Sequence, residues 1–99
     1  MKLLALEHEV VPNPPEAFQP YLQEEAAQIW QLYQDGLVRE LYFRADQHTA
    51  VLVLECADAV VAHETLDALP LVKAGLITFD VIPLVPYPGF ARLFKTDLS

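Results

Sequence analysis

One stretch of the sequence places charged and polar side chains inside an apolar strand pattern. From Leu37 to Arg44, the residues Arg39, Glu40 and Tyr42 stand among leucine, valine and phenylalanine. A carboxylate can move a proton, and a guanidinium binds a substrate carboxylate through paired hydrogen bonds. A strand that must bury one face and still carries such groups is typical of a pocket wall. We therefore predict that this strand contributes catalytic and substrate-binding side chains.

Glu25 is a second candidate, on a predicted helix. The apolar side chains of that helix recur every three or four residues along one face, at Phe18, Leu22, Ala26, Ile29 and Tyr33. At 100° per residue, Glu25 lies within about 60° of Leu22 and Ile29, inside this apolar face. Its carboxylate either reaches water or an arginine at the edge of the face, or points into a cavity as an acid/base group.

The histidines offer one further candidate. His8 lies on the first predicted strand, and it is either a general base or a half-buried strand residue. His48 and His63 stand apart from it, without the spacing of a metal site. No phosphate loop, dinucleotide fingerprint or serine-nucleophile motif occurs. The residues therefore give no sign of a metal site or of a nucleotide cofactor.

Length and composition bound the class of protein. Ninety-nine residues predict a single domain over 1–99. The net charge of −8 argues against nucleic acid or an anionic membrane surface as a partner. The single cysteine, Cys56, is interpreted as a core residue, and its isolation favours a reducing, cytoplasmic setting. The hydrophobic fraction of 54% is high for a small monomer and favours homo-oligomerisation.

The apolar periodicity and the helix-breaking residues predict four strands and two helices. The predicted elements are a strand Lys2–Val11, a helix Pro15–Asp35, strands Leu37–Arg44 and Thr49–Glu55, a helix from Asp58 to Leu69, and a strand Leu76–Leu84. Gly36 should end the first helix and Asp58 should cap the second. Residues 71–75 are interpreted as a loop. The aromatic tail of residues 87–94 should pack against its own sheet or a neighbour's.

The order of elements, βαββαβ, predicts an α+β, ferredoxin-like fold: an antiparallel sheet with both helices on one face. Every predicted strand carries apolar residues on both faces, so the face without helices must also be covered. Face-to-face pairing with the sheet of a second copy would cover it and form a dimeric α/β barrel. We expect the site in the cavity between the two sheets.

Short motifs follow one another in a fixed order along the chain. They are the helix glutamate Glu25, then Leu32-x-x-x-Gly36-x-x-Arg39-x-Leu41-Tyr42, then Leu69-Pro70-Leu71, and finally Pro83-Leu84. In this order they resemble the muconolactone isomerase family of dimeric α/β barrels. The resemblance covers nearly the whole chain.

The resemblance implies a cofactor-free, oligomeric enzyme that moves a proton and a double bond within a small unsaturated lactone. It implies Glu25 as the acid/base group and Arg39 as the group that binds a carboxylate or stabilises charge. The family pattern has a histidine where this chain has Glu40, so the chain departs from the family there. Glu40 is a further catalytic candidate because of its place on the strand.

Strand alternation provides an independent assignment of the residues around Glu40. It places Leu41 and Phe43 towards the helices, and it places Val38, Glu40, Tyr42 and Arg44 on the opposite face, towards the cavity between subunits. Arg39 then needs a bulge or a strand end to point into a pocket. An ion pair between Glu40 and Arg44 that fixes the strand register is the alternative to a functional role.

Two alternative sites follow. In one, Glu25 and Arg39 meet at an end of the helix layer. In the other, the carboxylate of Glu40 lies within the barrel together with three substrate-binding residues, His8, Tyr42 and Arg44. The first rests on the resemblance and the second on strand alternation.

The leading hypothesis is a small homo-oligomeric enzyme that transfers a proton on a small, anionic, unsaturated metabolite such as a lactone. It requires a carboxylate near an arginine in the cavity. A cofactorless monooxygenase of the related dimeric barrel type is the first alternative, and an apolar cavity with few charges would favour it. The second alternative is a non-catalytic, small-ligand-binding oligomer.

Overall fold

A single four-stranded antiparallel sheet forms the centre of the molecule. The computed structural model describes residues 1–94. Its strands are β1 (Lys2–Glu9), β2 (Val38–Phe43), β3 (Ala50–Glu55) and β4 (Ile77–Leu84), arranged in the order β2-β3-β1-β4. The helices are α1 (Leu22–Gln34), α2 (Ala59–Asp67), and the single turns α3 (Pro70–Lys73) and α4 (Ala91–Phe94). This confirms the predicted ferredoxin-like α+β plan.

The two faces of the sheet differ in what covers them. Alternate residues of β1 and β3 point towards the helices and are buried, as Leu3, Ala5, Leu52 and Leu54 show. Ala62 and Leu66 of α2 complete this core from the helix side. The opposite face, which we call the open face, carries side chains that no helix covers: Leu4, Leu6, Val51, Val53, Ile82 and Leu84.

The first helix begins later than predicted. Residues 15–17 and 19–21 form two 3₁₀ turns, each with a proline in its first positions, and α1 starts only at Leu22. Proline has no N–H to donate to the carbonyl four residues earlier, so Pro20 prevents one continuous helix from Pro15. Strand β1 is also shorter than predicted. It ends at Glu9, beyond which only the Val10 N–H still reaches Leu76.

Two glycines end helices in the same way and aim the chain into the next strand. Gly36 after α1 and Gly75 after α3 have φ of +84° and +76°. The N–H of Leu37 donates to Leu32, and the N–H of Leu76 donates to Leu71, as in a Schellman motif. Gly36 thus ends α1 as predicted. The predicted loop over 71–75 is instead the helical turn α3, because Pro70 begins a new turn.

The second helix begins as predicted. The Asp58 side chain accepts a hydrogen bond of 3.0 Å from the N–H of Val61, which caps α2. Cys56 is half-buried beside this cap. In the part of the chain that the structure describes, none of the helices has the length and hydropathy needed to span a membrane.

Candidate active site

An apolar cavity of about 600 Å³ lies between α1 and the helix-facing side of the sheet. Its walls come from α1, β2, β3, α3 and β4, through Leu22, Glu25, Ala26, Ile29, Trp30, Tyr33, Leu41, Tyr42, Phe43, Ala50, Leu52, Leu71 and Phe79. Its mouth is formed by aromatic side chains that remain exposed, among them Trp30, Tyr33 and Phe43. We expected the cavity on the open face. In the single chain it lies on the other side of the sheet, between α1 and the strands β2 and β3.

Glu25 is the charged residue of this cavity, and it is only 7% exposed. Its Oε1 atom accepts a hydrogen bond of 3.0 Å from the N–H of Leu71, in the first turn of α3. That bond fixes one oxygen of the carboxylate. Within residues 1–94, no hydrogen-bond partner is found for the other oxygen, which leaves it for a bound molecule. Glu25 therefore occupies the apolar face of the helix, as its position in the sequence indicated.

The environment of Glu25 favours its protonated form. Burial among apolar side chains raises the pKa of Glu25 above its ordinary value, and the negative charge of Glu7 raises it further. The hydrogen bond from Leu71 acts in the opposite direction, because it stabilises the ionised carboxylate. A carboxyl group whose pKa is moved towards neutrality is better suited to accept and return a proton.

Glu7 is a second carboxylate on this side of the sheet, and it is not among the site residues predicted from the sequence. It follows Leu3 and Ala5 on the helix-facing side of β1, and its Oε1 atom accepts a hydrogen bond of 3.1 Å from the N–H of Ala50. Burial raises the pKa of Glu7 as well. Strand alternation could have identified it, since Glu7 shares its face with the most deeply buried residues of β1.

Arg39 lies at an irregularity of the edge strand. Val38 pairs with Leu54 and Glu40 with Val53, so Arg39 is the extra residue of a β-bulge. The bulge places Val38 on the buried side, whereas simple alternation had assigned it to the face of Glu40. The Nε atom of Arg39 donates to the carbonyl oxygen of Gly36, at the C-terminal end of α1.

Glu25 and Arg39 therefore do not meet. Gly36 lies 11 residues after Glu25, which corresponds to about 16 Å along a helix. Arg39 is exposed and does not line the cavity.

The residues of the alternative site are found on the open face and at the hairpin, each with a neighbouring partner. His8 lies 2.7 Å from Asp80 between Nε2 and Oδ2. The Tyr42 hydroxyl donates to Glu40 over 2.8 Å, and this contact raises the pKa of Tyr42. Tyr42 and Glu40 lie on the face away from the helices, as strand alternation predicted, because they pair with Val51 and Val53 of the open face.

Arg44 binds neither Glu40 nor a cavity residue. It forms two hydrogen bonds to Asp46, of 2.9 and 2.7 Å, within the hairpin loop. The ion pair between Glu40 and Arg44, which was the alternative to a functional role, is thus not formed. His8, Glu40, Tyr42 and Arg44 do not converge on one point in the single chain, because β3 separates β2 from β1 and each side chain is bonded locally.

The cavity of one copy combines a carboxylate with apolar walls and lacks a positive charge. Among residues 1–94, no lysine, arginine or histidine lines it. Its hydrogen-bond donors are the indole of Trp30 and the hydroxyl of Tyr33, because the hydroxyl of Tyr42 donates to Glu40. Within the same range, no group of three or more histidine, cysteine, aspartate or glutamate side chains is arranged to hold a metal ion.

The family is established by comparison with known sequences. Residues 6–89 match the model of the muconolactone delta-isomerase family, which covers most of the chain. This protein belongs to that family. A search among curated proteins gave no significant match.

Solved structures show the same fold. A crystal structure of muconolactone isomerase is 23% identical in sequence and has a TM-score of 0.71, over 89% of this chain and 92% of the other. A 5-chloro-2-hydroxyhydroquinone dehydrochlorinase from Burkholderia phenoliruptrix, in complex with 2,5-dihydroxybenzoquinone, is 17% identical. Its TM-score is 0.61, over 90% of this chain and 98% of the other. At these identities the similarity shows a shared fold.

Proposed function

We propose that this protein is a cofactor-free enzyme that shifts a double bond within a small unsaturated metabolite such as a lactone, with Glu25 as its acid/base group. The observation that carries the proposal is the position of Glu25. It is a nearly buried carboxylate with one oxygen bonded to Leu71, at the wall of a cavity large enough for a small metabolite. Membership of the muconolactone delta-isomerase family supports the same class of reaction.

The proposed reaction needs one group that first accepts a proton and then returns it. The ionised Glu25 removes a proton from the carbon next to the carbonyl, and the electron pair of that C–H bond forms an enolate-like intermediate. The protonated Glu25 then delivers the proton to the carbon at the far end of the conjugated system. The double bond has moved, Glu25 is ionised again, and the product has the same charge as the substrate. A raised pKa suits both steps, because the carboxyl must exist in both forms during one turnover.

The enolate-like oxygen needs a hydrogen-bond donor in the cavity. Trp30 and Tyr33 line it and carry donors, whereas the hydroxyl of Tyr42 already donates to Glu40. Donors placed at a developing negative charge lower the barrier more in an apolar cavity than in water. The apolar walls exclude water from the reacting atoms and select a small, largely apolar ring.

A second copy completes the proposed enzyme. The open face exposes Ile82 to 41% and Leu84 to 38%, and the half-buried Leu4 and Val53 lie beside them. Pairing this face with the same face of another copy would remove apolar surface from water and form the dimeric barrel. This homo-oligomer is part of the proposal.

A cofactorless monooxygenase is the second candidate, and the composition of the cavity favours it. Apart from Glu25, every described side chain that lines the cavity is uncharged, and most are aliphatic or aromatic. Such a site suits an electron-rich aromatic substrate. A monooxygenase reaction on that substrate would consume oxygen, whereas isomerisation would only transfer a proton. Oxygen uptake therefore separates the two candidates. A non-catalytic binding protein is the remaining alternative. Compounds that bind to it would raise its melting temperature, but they would be neither isomerised nor oxidised.

The experiment begins with ligands and ends with three variants. Small unsaturated lactones and electron-rich aromatic acids are tested for thermal stabilisation, and those that bind are assayed for isomerisation, for solvent deuterium incorporation and for oxygen uptake. Replacing Glu25 with Gln keeps an acceptor for the Leu71 N–H but removes the base. We expect Glu25→Gln to lower kcat/KM by a factor of about 10² to 10⁴.

Two further variants place the site. Glu24→Gln changes the exposed neighbour on the same helix and should leave turnover close to the wild-type value. Glu40→Gln tests the open face directly. If Glu40→Gln abolishes isomerisation and Glu25→Gln does not, the base lies on the open face and the proposal is wrong.

A further inference from the structure

Glu7 is a half-buried carboxylate that the proposed reaction does not use. It pairs with Phe79 of β4 across the sheet, and its Oε1 atom accepts a hydrogen bond of 3.1 Å from the N–H of Ala50 in β3. Ala50 and Phe79 both line the cavity. Glu7 therefore lies beside the cavity wall, and the backbone of a residue of that wall holds its carboxylate in place.

The charge of Glu7 acts on the same cavity as the charge of Glu25. Glu25 lies in the wall itself, and the negative charge of Glu7 is one of the causes that raise the pKa of Glu25. Apolar surroundings screen a charge less than water does, so the influence of both carboxylates extends into the cavity. A molecule bound there is exposed to negative charge from two directions.

No positive charge balances these carboxylates in the described part of the chain. Among residues 1–94, the cavity lining contains no lysine, arginine or histidine. Arg39 donates to the carbonyl oxygen of Gly36, and Arg44 donates to Asp46 in the hairpin loop. The whole chain has a net charge of −8. An anion that entered the cavity would leave water for a site of its own sign.

A carboxylate on the ligand would be opposed in two ways. Moving an unpaired carboxylate from water into apolar surroundings costs free energy, because nothing replaces its hydration. Its charge would also raise the pKa of Glu25 further, since a nearby like charge disfavours the ionised form. Glu25 would then hold a proton and could not remove one from the ligand. A bound anion would thus hinder its own isomerisation.

The cavity offers apolar contacts instead. Aromatic rings line it at Trp30, Phe43 and Phe79, and aliphatic side chains fill the spaces between them. The volume of about 600 Å³ is in the range of sites that take small organic molecules. An aromatic or aliphatic substituent on the ligand would be removed from water against these walls, which favours binding in proportion to the apolar area buried.

We propose that the cavity takes an uncharged unsaturated lactone with an apolar substituent, and that Glu7 is a specificity-determining residue that excludes anionic analogues. The lactone ring in this inference rests on the proposed function, whereas the preference for uncharged ligands rests on the cavity alone. An uncharged substrate needs no arginine beside Glu25, which is the arrangement that the structure shows. The acid/base role of Glu25 is unchanged.

Two probes that differ in one charge test the exclusion of anions. They are an unsaturated γ-lactone with a para-carboxyphenyl substituent and the methyl ester of that acid. Trp30 is the single tryptophan and lines the cavity, so quenching of its emission reports binding at this site. At neutral pH, we expect the ester to bind to the wild-type protein about a hundredfold more tightly than the acid.

The variant Glu7→Gln tests the part that Glu7 has in this preference. Glutamine keeps an oxygen that can accept the hydrogen bond from Ala50, but it removes the charge. The acid should bind about tenfold more tightly to Glu7→Gln than to the wild type, and the ester should bind within about twofold of its wild-type affinity. Glu64→Gln is the matched control. It removes the same charge from an exposed position on α2, away from the cavity lining, and should change neither affinity.

Equal affinities of the acid and the ester for the wild-type protein would overturn the exclusion of anions. Such a result would show that a cation reaches the cavity in the assembled protein. It needs no variant, so the proposal stays testable even if Glu7→Gln does not fold. A folded Glu7→Gln protein that keeps the full preference would overturn the role of Glu7. Equal gains in Glu7→Gln and Glu64→Gln would also overturn it, because net charge alone would then explain the preference.

These measurements are separate from the test of the reaction. Binding of the two probes is read from Trp30 and does not depend on turnover. If the ester binds more tightly but is not isomerised, the proposed reaction fails and the preference for uncharged ligands stands. If the acid is isomerised as efficiently as the ester, the proposed reaction stands and the inference about the substrate class fails.

Discussion

The two sides of the sheet treat their polar residues differently. On the open face and at the hairpin, the candidate side chains satisfy each other at the surface: His8 with Asp80, Tyr42 with Glu40. On the covered side, Glu25 and Glu7 stand among apolar groups, and each is held by a backbone N–H from a distant part of the chain. The covered side has fewer polar residues, and burial raises the pKa of both of these carboxyl groups.

Burial and distant hydrogen-bond partners identify candidate residues better than the number of polar groups on a strand does. The number of polar groups on a strand made the open face conspicuous in the sequence, yet those groups are exposed and bond to partners beside them. Burial raises the pKa of the Glu25 carboxyl even though the backbone hydrogen bond from Leu71 lowers it in part, and a raised pKa suits acid/base catalysis.

The largest expected effect compares matched leucines on the two sides. Leu54 is fully buried on the covered side, whereas Leu4 is half-buried on the open face. We expect Leu54→Ala to lower the free energy of unfolding by about 2 to 5 kcal/mol, because it leaves a cavity in the core. Leu4→Ala should cost less at low protein concentration, and its cost should grow with concentration if a second copy covers that face. Equal costs at every concentration, measured by denaturant unfolding, would contradict the contrast between the faces.

The next effect concerns the hydrogen bond of Glu25. Glu25→Ala leaves the Leu71 N–H without its acceptor in a buried position, and we expect a loss of about 1 to 3 kcal/mol in the free energy of unfolding. Glu25→Gln keeps an acceptor and should cost clearly less. Glu40→Ala, on the open side, should stay within about 0.5 kcal/mol of the wild type. If the Ala and Gln variants of Glu25 were equally stable, the bond to Leu71 would contribute nothing.

The pH dependence of stability should also separate the two sides. The pKa values of Glu7 and Glu25 are raised in the folded protein, so the folded state holds these protons more tightly than the unfolded chain does. Their contribution to stability is fully present below the unfolded pKa of about 4.5, and it is lost as the pH rises through the raised values. Relative to the wild type, the double variant Glu7→Gln, Glu25→Gln should therefore gain stability between pH 4.5 and 7. Chemical denaturation at several pH values measures this, and parallel curves for the two proteins would refute it.

The smallest effect belongs to an exposed pair on the open face. Asp80→Asn removes the charged partner of His8, and both side chains are more than half exposed. We expect a change of about 0 to 1 kcal/mol, which should shrink further at high salt. A loss above this range in the monomer would mean that the open face is more than a solvated surface.

Local patterns in the sequence determined most of the fold. The order of strands and helices followed from apolar periodicity, and Gly36 and Asp58 marked a helix end and a helix start because their roles depend on neighbouring residues alone. The position of Glu25 inside an apolar face followed from the geometry of one helix. The departures at Pro20 and Pro70 have equally local causes, since each proline begins a new helical turn.

Which residues share a site depends on contacts between segments that are far apart in the chain. The bulge at Arg39 depends on how β2 aligns with β3, and it changes the face of Val38 without a signal in the sequence of β2 itself. Glu25 is fixed by Leu71, 46 residues later, and Glu7 by Ala50, 43 residues later. Periodicity assigns a side chain to a face, but its loss of water and its hydrogen-bond partner depend on segments that are distant in the chain. The helical periodicity alone therefore indicated Glu25 as a candidate. Its cavity and its raised pKa depend on the folded chain.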